Sequence, residues 1–149
     1  MTNKEPVEQL LLRHRHSRAW NARRGIGTFL TIEVGKEVKP DSGQLHIWVQ
    51  YATWTLEFRG HPILSSGSSH ATEYAEALAN LEGQQLEDIA VHQESGHVEV
   101  VVSFSSDLAL RLSSDQENYE TEDDMISLFD TNIIVSISAT RGVYAESSE

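Results

Sequence analysis

The chain of 149 residues contains no cysteine, and this absence removes several classes of site at once. Disulfide bonds, thiolate nucleophiles and cysteine-ligated zinc or iron–sulfur centres are excluded. A chain without cysteine fits a reducing compartment, so we expect a cytoplasmic protein. Its length allows one domain that buries about two-thirds of the surface of the unfolded chain, so no cross-link is needed for a core.

Long hydrophobic runs are also missing. The apolar stretch near the start, Leu10 to Leu12, is too short for the hydrophobic region of a signal peptide. No segment approaches the roughly 20 apolar residues that a membrane helix needs. We therefore expect a non-secreted protein that makes no contact with a membrane.

Basic residues are scarce over most of the chain, which carries a formal net charge of −12. Residues 1–39 hold eight basic and four acidic residues, whereas residues 40–149 hold three and nineteen. This acidity serves solubility, and it also repels nucleic acid and attracts cationic partners. Although "RHRHSRAWNARR" (13–24) has the residue types that contact phosphate, we expect only a basic arm or short helix over residues 1–18, and no nucleic-acid partner.

Hydrophobic periodicity predicts many short strands and one main helix. Alternation in "TFLTIEV" (28–34) is typical of a half-buried strand. In "HATEYAEALANLEG" the apolar residues recur at helical spacing, which predicts a helix over about 69–82, with Ser69 as N-cap and Gly83 as the stop. Further strands are predicted at 86–92, 98–104, 108–112, 125–129 and 132–138.

The stretch "QLHIWVQYATWTLEF" (44–58) changes its pattern midway. Apolar residues occupy odd positions up to Val49 and even positions from Trp54 onward. One flat strand cannot turn both sets to the same face, because successive side chains alternate between faces. We favour a bulge near 51–53 or a tight corner there; the alternative is a strand covered on both faces, with Trp48 packed on the second.

These elements predict an α+β fold. We expect a single domain over residues 19–145, with a curved, mostly antiparallel sheet of about seven or eight strands and the helix at about 69–82 packed on it. The short turn after residue 104 predicts that 98–104 and 108–112 form an antiparallel hairpin. A β-sandwich or open barrel with one helix is the alternative, and residues 146–149 are expected to be a disordered tail.

No catalytic motif is present, so we expect neither enzymatic activity nor a cofactor or bound metal. HExxH, G-x-S-x-G and the phosphate-binding GxxxxGK[ST] are all absent. A small metal-binding enzyme that combines a histidine (His61, His92 or His97) with a nearby Asp or Glu remains the first alternative. A structural subunit of a bacterial assembly, forming a homodimer or larger oligomer through a sheet edge or through Trp48, is the second.

The segment "SSDQENYETEDD" (113–124) is the most acidic part of the chain. A solvated loop is its simplest interpretation. The sharper hypothesis is that its acids and embedded tyrosine dock on a basic cleft of another protein, as aromatic anchors with charged neighbours do at interfaces. The residues predicted to bind a partner are Glu117, Tyr119, Glu120, Glu122, Asp123 and Asp124.

Two strand motifs and a helix exit carry a resemblance over residues 20–112, approximately. "GIGTFLT", the tryptophan-rich "LHIWVQYATW" and "LEGQQL" resemble motifs of a group of small bacterial proteins that look like immunity proteins of toxin systems. The match lies on Gly25, Gly27, Thr28, Phe29, Leu30, Thr31, Trp48, Trp54, Leu81, Gly83 and Leu86. The resemblance implies a non-enzymatic protein that neutralises a cognate toxin, here a basic nuclease effector domain, by steric and electrostatic occlusion.

Overall fold

The computed structural model describes residues 4–68, 71–94, 96–114 and 123–147. Within these ranges the chain forms two α-helices, a short 3₁₀ turn at Ala79–Leu81 and eleven strands. The helices are α1 Glu5–His14 and α2 Ala71–Leu78. The strands are β1 Ala19–Arg24, β2 Leu30–Lys39, β3 Ser42–Val49, β4 Thr53–Phe58, β5 His61–Ser65, β6 Leu86–Glu94, β7 His97–Phe104, β8 Leu108–Ser113, β9 Asp124–Phe129, β10 Ile133–Ser138 and β11 Gly142–Ser147.

The strands form two antiparallel sheets. The six-stranded sheet has the order β1-β2-β3-β9-β10-β11, and the five-stranded sheet has the order β5-β4-β8-β7-β6. One cluster of buried apolar side chains draws on both sheets and both helices. The α+β class and the antiparallel pairing are thus confirmed. The expected single sheet of seven or eight strands with one main helix is corrected to two sheets, eleven strands and two short helices.

The strands that sequence periodicity missed lie at sheet edges, where few side chains reach the core. β1 and β11 are the edges of the six-stranded sheet, and β5 is an edge of the five-stranded sheet. β5 contains Pro62, which lacks the backbone N–H that an inner strand needs, and buries only Leu64. β11 runs to Ser147, which corrects the expected disordered tail at residues 146 and 147; residues 148 and 149 lie outside the described ranges.

A corner at residues 50–52 carries the chain from one sheet to the other. β3 ends at Val49 in the six-stranded sheet, and β4 begins at Thr53 in the five-stranded sheet. The backbone N–H of Gln50 donates to the carbonyl of Met125 at 2.8 Å, which holds the start of the corner against β9. The tight corner, rather than a bulge within one strand, explains why the apolar pattern shifts from odd to even positions.

Each helix packs against the edge strands of both sheets. α2 contacts β1 and β5, and α1 contacts β6 and β11, so each helix closes one open side between the layers. α1 contributes Val7, Leu10 and Leu11 to the common core. Residues 1–18 therefore contain a helix that belongs to the domain, which corrects the boundary expected at residue 19. Ser69, the predicted N-cap of α2, lies outside the described residues.

The β7–β8 hairpin is formed as predicted, with Phe104 opposite Leu108. Its turn places Ser106 and Asp107 at positive φ, +62° and +61°.

Among the described residues no helix is long and apolar enough to cross a membrane.

Candidate partner-binding surface

The outer face of the six-stranded sheet carries the side chains that point away from the core. Strand register aligns one row across this face: Thr31, Trp48, Ser127, Ser136 and Tyr144. A second row runs beside it: Trp20, Glu33, His46, Phe129 and Ile134. Because period-two alternation turns the neighbouring residues of each strand into the core, these two rows form the outer face of the sheet. Glu33, Ser127 and Ser136 are themselves buried within this face, so its other members form the surface that the sheet offers to a partner.

Four aromatic side chains on this face touch one another in sequence, and we call them the aromatic strip: Tyr51, Phe29, Trp48 and Phe129. Ring centroids are 5.2 Å apart for Tyr51 and Phe29 and 6.1 Å for Phe29 and Trp48, both edge-on. Trp48 and Phe129 follow at 6.3 Å with tilted planes. Such contacts contribute about 0.5–1.5 kcal/mol each, and they hold the rings in place before any partner arrives.

A tight loop between β1 and β2 places the first ring of the strip. The N–H of Gly25 donates to the carbonyl of Phe29 at 2.7 Å, and the N–H of Phe29 donates to that of Ile26 at 3.1 Å. Gly27 has φ +62°, a conformation that glycine adopts without steric cost. The loop therefore presents Phe29 at the start of β2 and leaves Ile26 exposed at its tip.

Beyond Trp48 the strip opens into a groove with a volume of about 680 Å³. This groove combines apolar walls with backbone and hydroxyl groups, as ligand clefts commonly do. Its lining residues are Val38, Lys39, Ser42, Gly43, His46, Trp48, Phe129, Asp130 and Thr131.

A buried carboxylate lies under the groove. The side chain of Glu33 is 1 % exposed, and its two oxygens contact the N–H of Gly43 at 2.9 Å and Nδ1 of His46 at 2.5 Å. Glu33 and His46 are cross-strand partners, so the pairing of β2 with β3 creates the contact. The carboxylate orients the imidazole, whose ring lies 5.7 Å from that of Phe129. The far end of the strip is thereby fixed by a hydrogen bond.

Asp130 anchors α1 to the turn between β9 and β10. Its Oδ2 accepts from Nε and Nη2 of Arg13, at 3.0 and 2.8 Å, and lies 3.2 Å from Nε2 of His14. Its Oδ1 accepts the N–H groups of Asn132 and Ile133, at 2.9 and 3.0 Å. Burial acts to raise the pKa of Asp130, but these bonds outweigh it and hold the pKa below its usual value. The carboxylate is thus engaged in a structural contact.

The predicted partner-binding residues divide between described and undescribed parts of the chain. Asp123 and Asp124 are both half-buried, and Asp124 begins β9. The N–H of Tyr51 donates to the backbone carbonyl of Asp124 at 3.2 Å, which places these two acids at the tyrosine end of the aromatic strip. The other four lie outside the described residues: Glu117, Tyr119, Glu120 and Glu122.

The side chain of Asp124 has a partner within the sheet. The hydroxyl of Tyr144 donates to Oδ1 of Asp124 at 2.6 Å. Burial and, after it, this hydrogen bond raise the pKa of the Tyr144 hydroxyl. Asp124 is therefore held in position at the rim of the strip by a phenol from β11.

The histidines of the proposed metal-binding alternative form no metal-binding cluster within the described residues. His61 lies on β5 and His92 on β6, which are opposite edges of the five-stranded sheet. His97 lies on β7 as the cross-strand neighbour of Glu94. Among the described residues, the carboxylate contact of these three histidines is between the exposed side chains of His92 and Glu94, at 3.4 Å. In the part of the chain that the structure describes, no cluster of three histidine, aspartate or glutamate residues could hold a metal ion.

Sequence reasoning did not identify the aromatic strip as a site. A local signal existed in β3, where His46 and Trp48 alternate with buried apolar residues and must therefore face outward. Phe129 carries no such signal, because only the pairing of β3 with β9 brings it beside Trp48. The strip is therefore a product of strand order.

Comparisons with known proteins leave the function to be argued from this geometry. No protein-family model, curated protein or solved structure matches the chain. The resemblance to immunity proteins remains a prediction from the sequence.

Proposed function

We propose that the protein is a non-enzymatic immunity or inhibitor protein that binds a basic effector domain of a bacterial toxin in the cytoplasm and blocks its working surface. The aromatic strip on the outer face of the six-stranded sheet is the observation that carries this proposal. Tryptophan, tyrosine and phenylalanine are enriched at protein interfaces, and the first two dominate binding energies there. The contacts among these rings reduce the side-chain entropy that binding would otherwise cost.

The charge of the molecule supports a basic partner. Its formal net charge is −12, and Asp123 and Asp124 lie at the tyrosine end of the strip. Opposite charges accelerate the encounter of two proteins, and apolar anchors then slow their separation. An acidic rim next to aromatic rings provides both effects on one face.

Occlusion accounts for inhibition without any reaction by the inhibitor. A nuclease domain binds its phosphate substrate through basic residues, and an acidic protein seated on those residues excludes the substrate. Such an inhibitor needs a rigid surface of suitable shape and charge. An antiparallel sheet whose exposed side chains are held by ring contacts and by the Glu33–His46 hydrogen bond meets that need.

The test is protection of cells that express a candidate toxin domain, for which the product of the neighbouring gene is the first choice. We expect co-expression of the wild-type chain to restore growth. Trp48→Ala should remove protection, because truncation of a central interface aromatic costs about 2 kcal/mol or more, roughly thirty-fold in Kd. Leu12→Ala is the matched control, since Leu12 is an exposed apolar residue on α1, away from the strip. Equal protection by wild type and Trp48→Ala would refute the strip as the contact surface.

A second copy of this chain is the competing occupant of the strip. A row of partly exposed aromatic rings also suits the interface of a homodimer, which a structural subunit would use. Light scattering over a range of protein concentrations distinguishes the two. A dimer that Trp48→Ala dissociates would favour the assembly subunit over the inhibitor.

A further inference from the structure

A second groove lies on a different part of the molecule, between α2 and the hairpin formed by β4 and β5. It has a volume of about 440 Å³, and we call it the α2 groove. Its lining residues are Phe58, Ile63, Glu73, Glu76, Ala77, Asn80, Gln84, Ser106 and Leu108. These residues belong to the five-stranded sheet, to α2 and to the connecting turns, and none of them belongs to the aromatic strip.

One side of the α2 groove is apolar. Phe58 and Ile63 are each 39 % exposed although both are large hydrophobic residues, and Leu108 and Ala77 form a buried apolar base beneath them. β4 places Phe58 opposite Leu108 of β8, so the exposed ring continues the apolar surface of the core toward solvent. A contact that covered Phe58 and Ile63 would be favourable, at about 25 cal/mol for each Å² of apolar surface removed from water.

The other side of the α2 groove is acidic. Glu73 and Glu76 are three positions apart on α2, a spacing that places both carboxylates on the same side of the helix. Within the described part of the chain neither forms an ion pair, whereas nearby acids do: Glu57 pairs with Arg111, and Asp107 with Arg59. The groove thus offers two carboxylates that no cation of the described residues neutralises.

A contact within the chain shows that a cation can pack on the Phe58 ring of the α2 groove. The guanidinium of Arg59 lies 5.0 Å from the centroid of the Phe58 ring, within the range of a cation–π contact. Arg59 is largely exposed, and its contact with Asp107 is long, at 3.7 Å. A cationic side chain from another molecule would meet the same ring together with the two free carboxylates.

From this combination we infer that the α2 groove binds a basic segment of a protein partner. A lysine or arginine of that segment contacts Glu73 and Glu76, and an adjacent apolar side chain contacts Phe58 and Ile63. The inference goes beyond the function proposed above, because it concerns a different surface and does not require the aromatic strip. A partner that used both surfaces would gain affinity through effective concentration.

The probe is a fluorescein-labelled peptide of alternating lysine and leucine, with a matched peptide in which glutamate replaces each lysine. Fluorescence anisotropy at low salt should show that the folded protein binds the lysine peptide and not the glutamate peptide. Glu73→Gln/Glu76→Gln should weaken binding by about two- to thirty-fold, since two exposed ion pairs with the peptide are lost. Ile63→Ser should weaken it as well, because the apolar contact is lost.

The control for net charge is Glu87→Gln/Glu94→Gln. It removes the same number of charges from β6, the edge of the five-stranded sheet farthest from β5. We expect this control to bind the lysine peptide as tightly as wild type. An equal loss in both double variants would mean that the peptide responds only to net charge, and the inference would be wrong.

Nuclear magnetic resonance locates the bound peptide. Addition of the lysine peptide should shift the methyl resonances of Ile63 and leave the indole resonance of Trp48 unchanged; the reverse result would assign the peptide to the aromatic strip and overturn the inference.

The protection assay separates the two proposals. A chain that protects cells without binding the peptide refutes only the α2 groove, and one that binds the peptide without protecting cells refutes only the inhibitor function.

Discussion

At the scale of single residues, two buried acids organise the six-stranded sheet and its connections. Glu33, which lies beneath the groove, holds His46 of the groove lining in place. Asp130 joins α1 to the turn between β9 and β10. Both carboxylates are almost completely removed from water, so each must be satisfied by hydrogen bonds within the protein. Both contact an imidazole and backbone amides, and only Asp130 also accepts from a guanidinium, that of Arg13.

Asp130→Asn should destabilise the protein by about 1–3 kcal/mol, because the neutral amide cannot replace the charged acceptor of Arg13 and offers one oxygen where the carboxylate offers two. Urea unfolding followed by circular dichroism measures the loss. Asp88→Asn is the control, since its contact with Arg15 is exposed and long, at 4.0 Å. A loss of the same size in both variants would contradict the anchoring role of Asp130.

The contribution of Asp130 to stability should depend on pH. The pKa of Asp130 in the folded state lies below its usual value, so its ionised form favours folding. This contribution is complete above the unfolded pKa of about 3.9 and is lost as the pH falls through the folded pKa. The difference in unfolding free energy between wild type and Asp130→Asn should therefore shrink from pH 6 to pH 3. A difference that stayed constant would mean that ionisation of Asp130 contributes nothing.

At the scale of elements, the two helices complete the core by closing the sides between the sheets. Each packs on one edge strand of each sheet: α2 on β1 and β5, and α1 on β6 and β11. Three of these edge strands, β1, β5 and β11, have weak apolar patterns, so we expect their stability to depend on the helix that covers them. For this reason the N-terminal helix is part of the folded unit.

Leu10→Ala tests the contribution of α1. Leu10 is completely buried, and its truncation should cost about 2–5 kcal/mol by loss of burial and creation of a cavity. Leu12→Ala on the same helix should change stability by less than about 0.5 kcal/mol, because Leu12 is 71 % exposed. Thermal unfolding of both variants measures the contrast, and a small effect of Leu10→Ala would show that α1 is a detachable arm.

At the scale of the whole molecule, acidic residues and the aromatic strip are distributed differently. Acidic residues are spread over residues 40–149, whereas the aromatic strip, with Tyr51 exposed and its other three rings half-buried, is confined to the outer face of one sheet. Charge acts over a distance and governs how often the partner arrives, while the aromatic face acts on contact and governs how long it stays. The two contributions can therefore be measured separately.

Salt should slow association with the basic partner proposed above and leave dissociation nearly unchanged. At 0.15 M ionic strength charges farther apart than about 8 Å are largely screened, so the association rate should fall steeply as salt is added. Asp123→Asn/Asp124→Asn should lower the rate at low salt, and Trp48→Ala should raise the dissociation rate instead. Stopped-flow measurements distinguish the two, and an association rate independent of salt would contradict charge steering.

Local pattern identified the inner strands and the main helix. The buried strands β2, β3 and β6 to β10 were all indicated by apolar residues in or near period two, because burial of one or both faces imposes that pattern on the sequence. The helix at Ala71–Leu78 and the 3₁₀ turn after it fall within the predicted range of about 69–82. The edge strands β1, β5 and β11 were missed, because each buries few side chains. β6 is also an edge strand, but its buried Leu86, Ile89 and Val91 left a signal in the sequence.

By itself, the sequence determined the antiparallel α+β class, the absence of thiol chemistry, the acidic character and the presence of a break between Val49 and Trp54. Only the tertiary structure decided that this break is a corner between two sheets and that Phe129 stands beside Trp48. It also decided that Phe58 and Ile63 face two glutamates of α2. The physical reason is that periodicity records which face of a strand is buried, whereas strand order depends on how all the strands share one core. Strand order therefore decides which residues share a surface, and those residues are distant from one another in the chain.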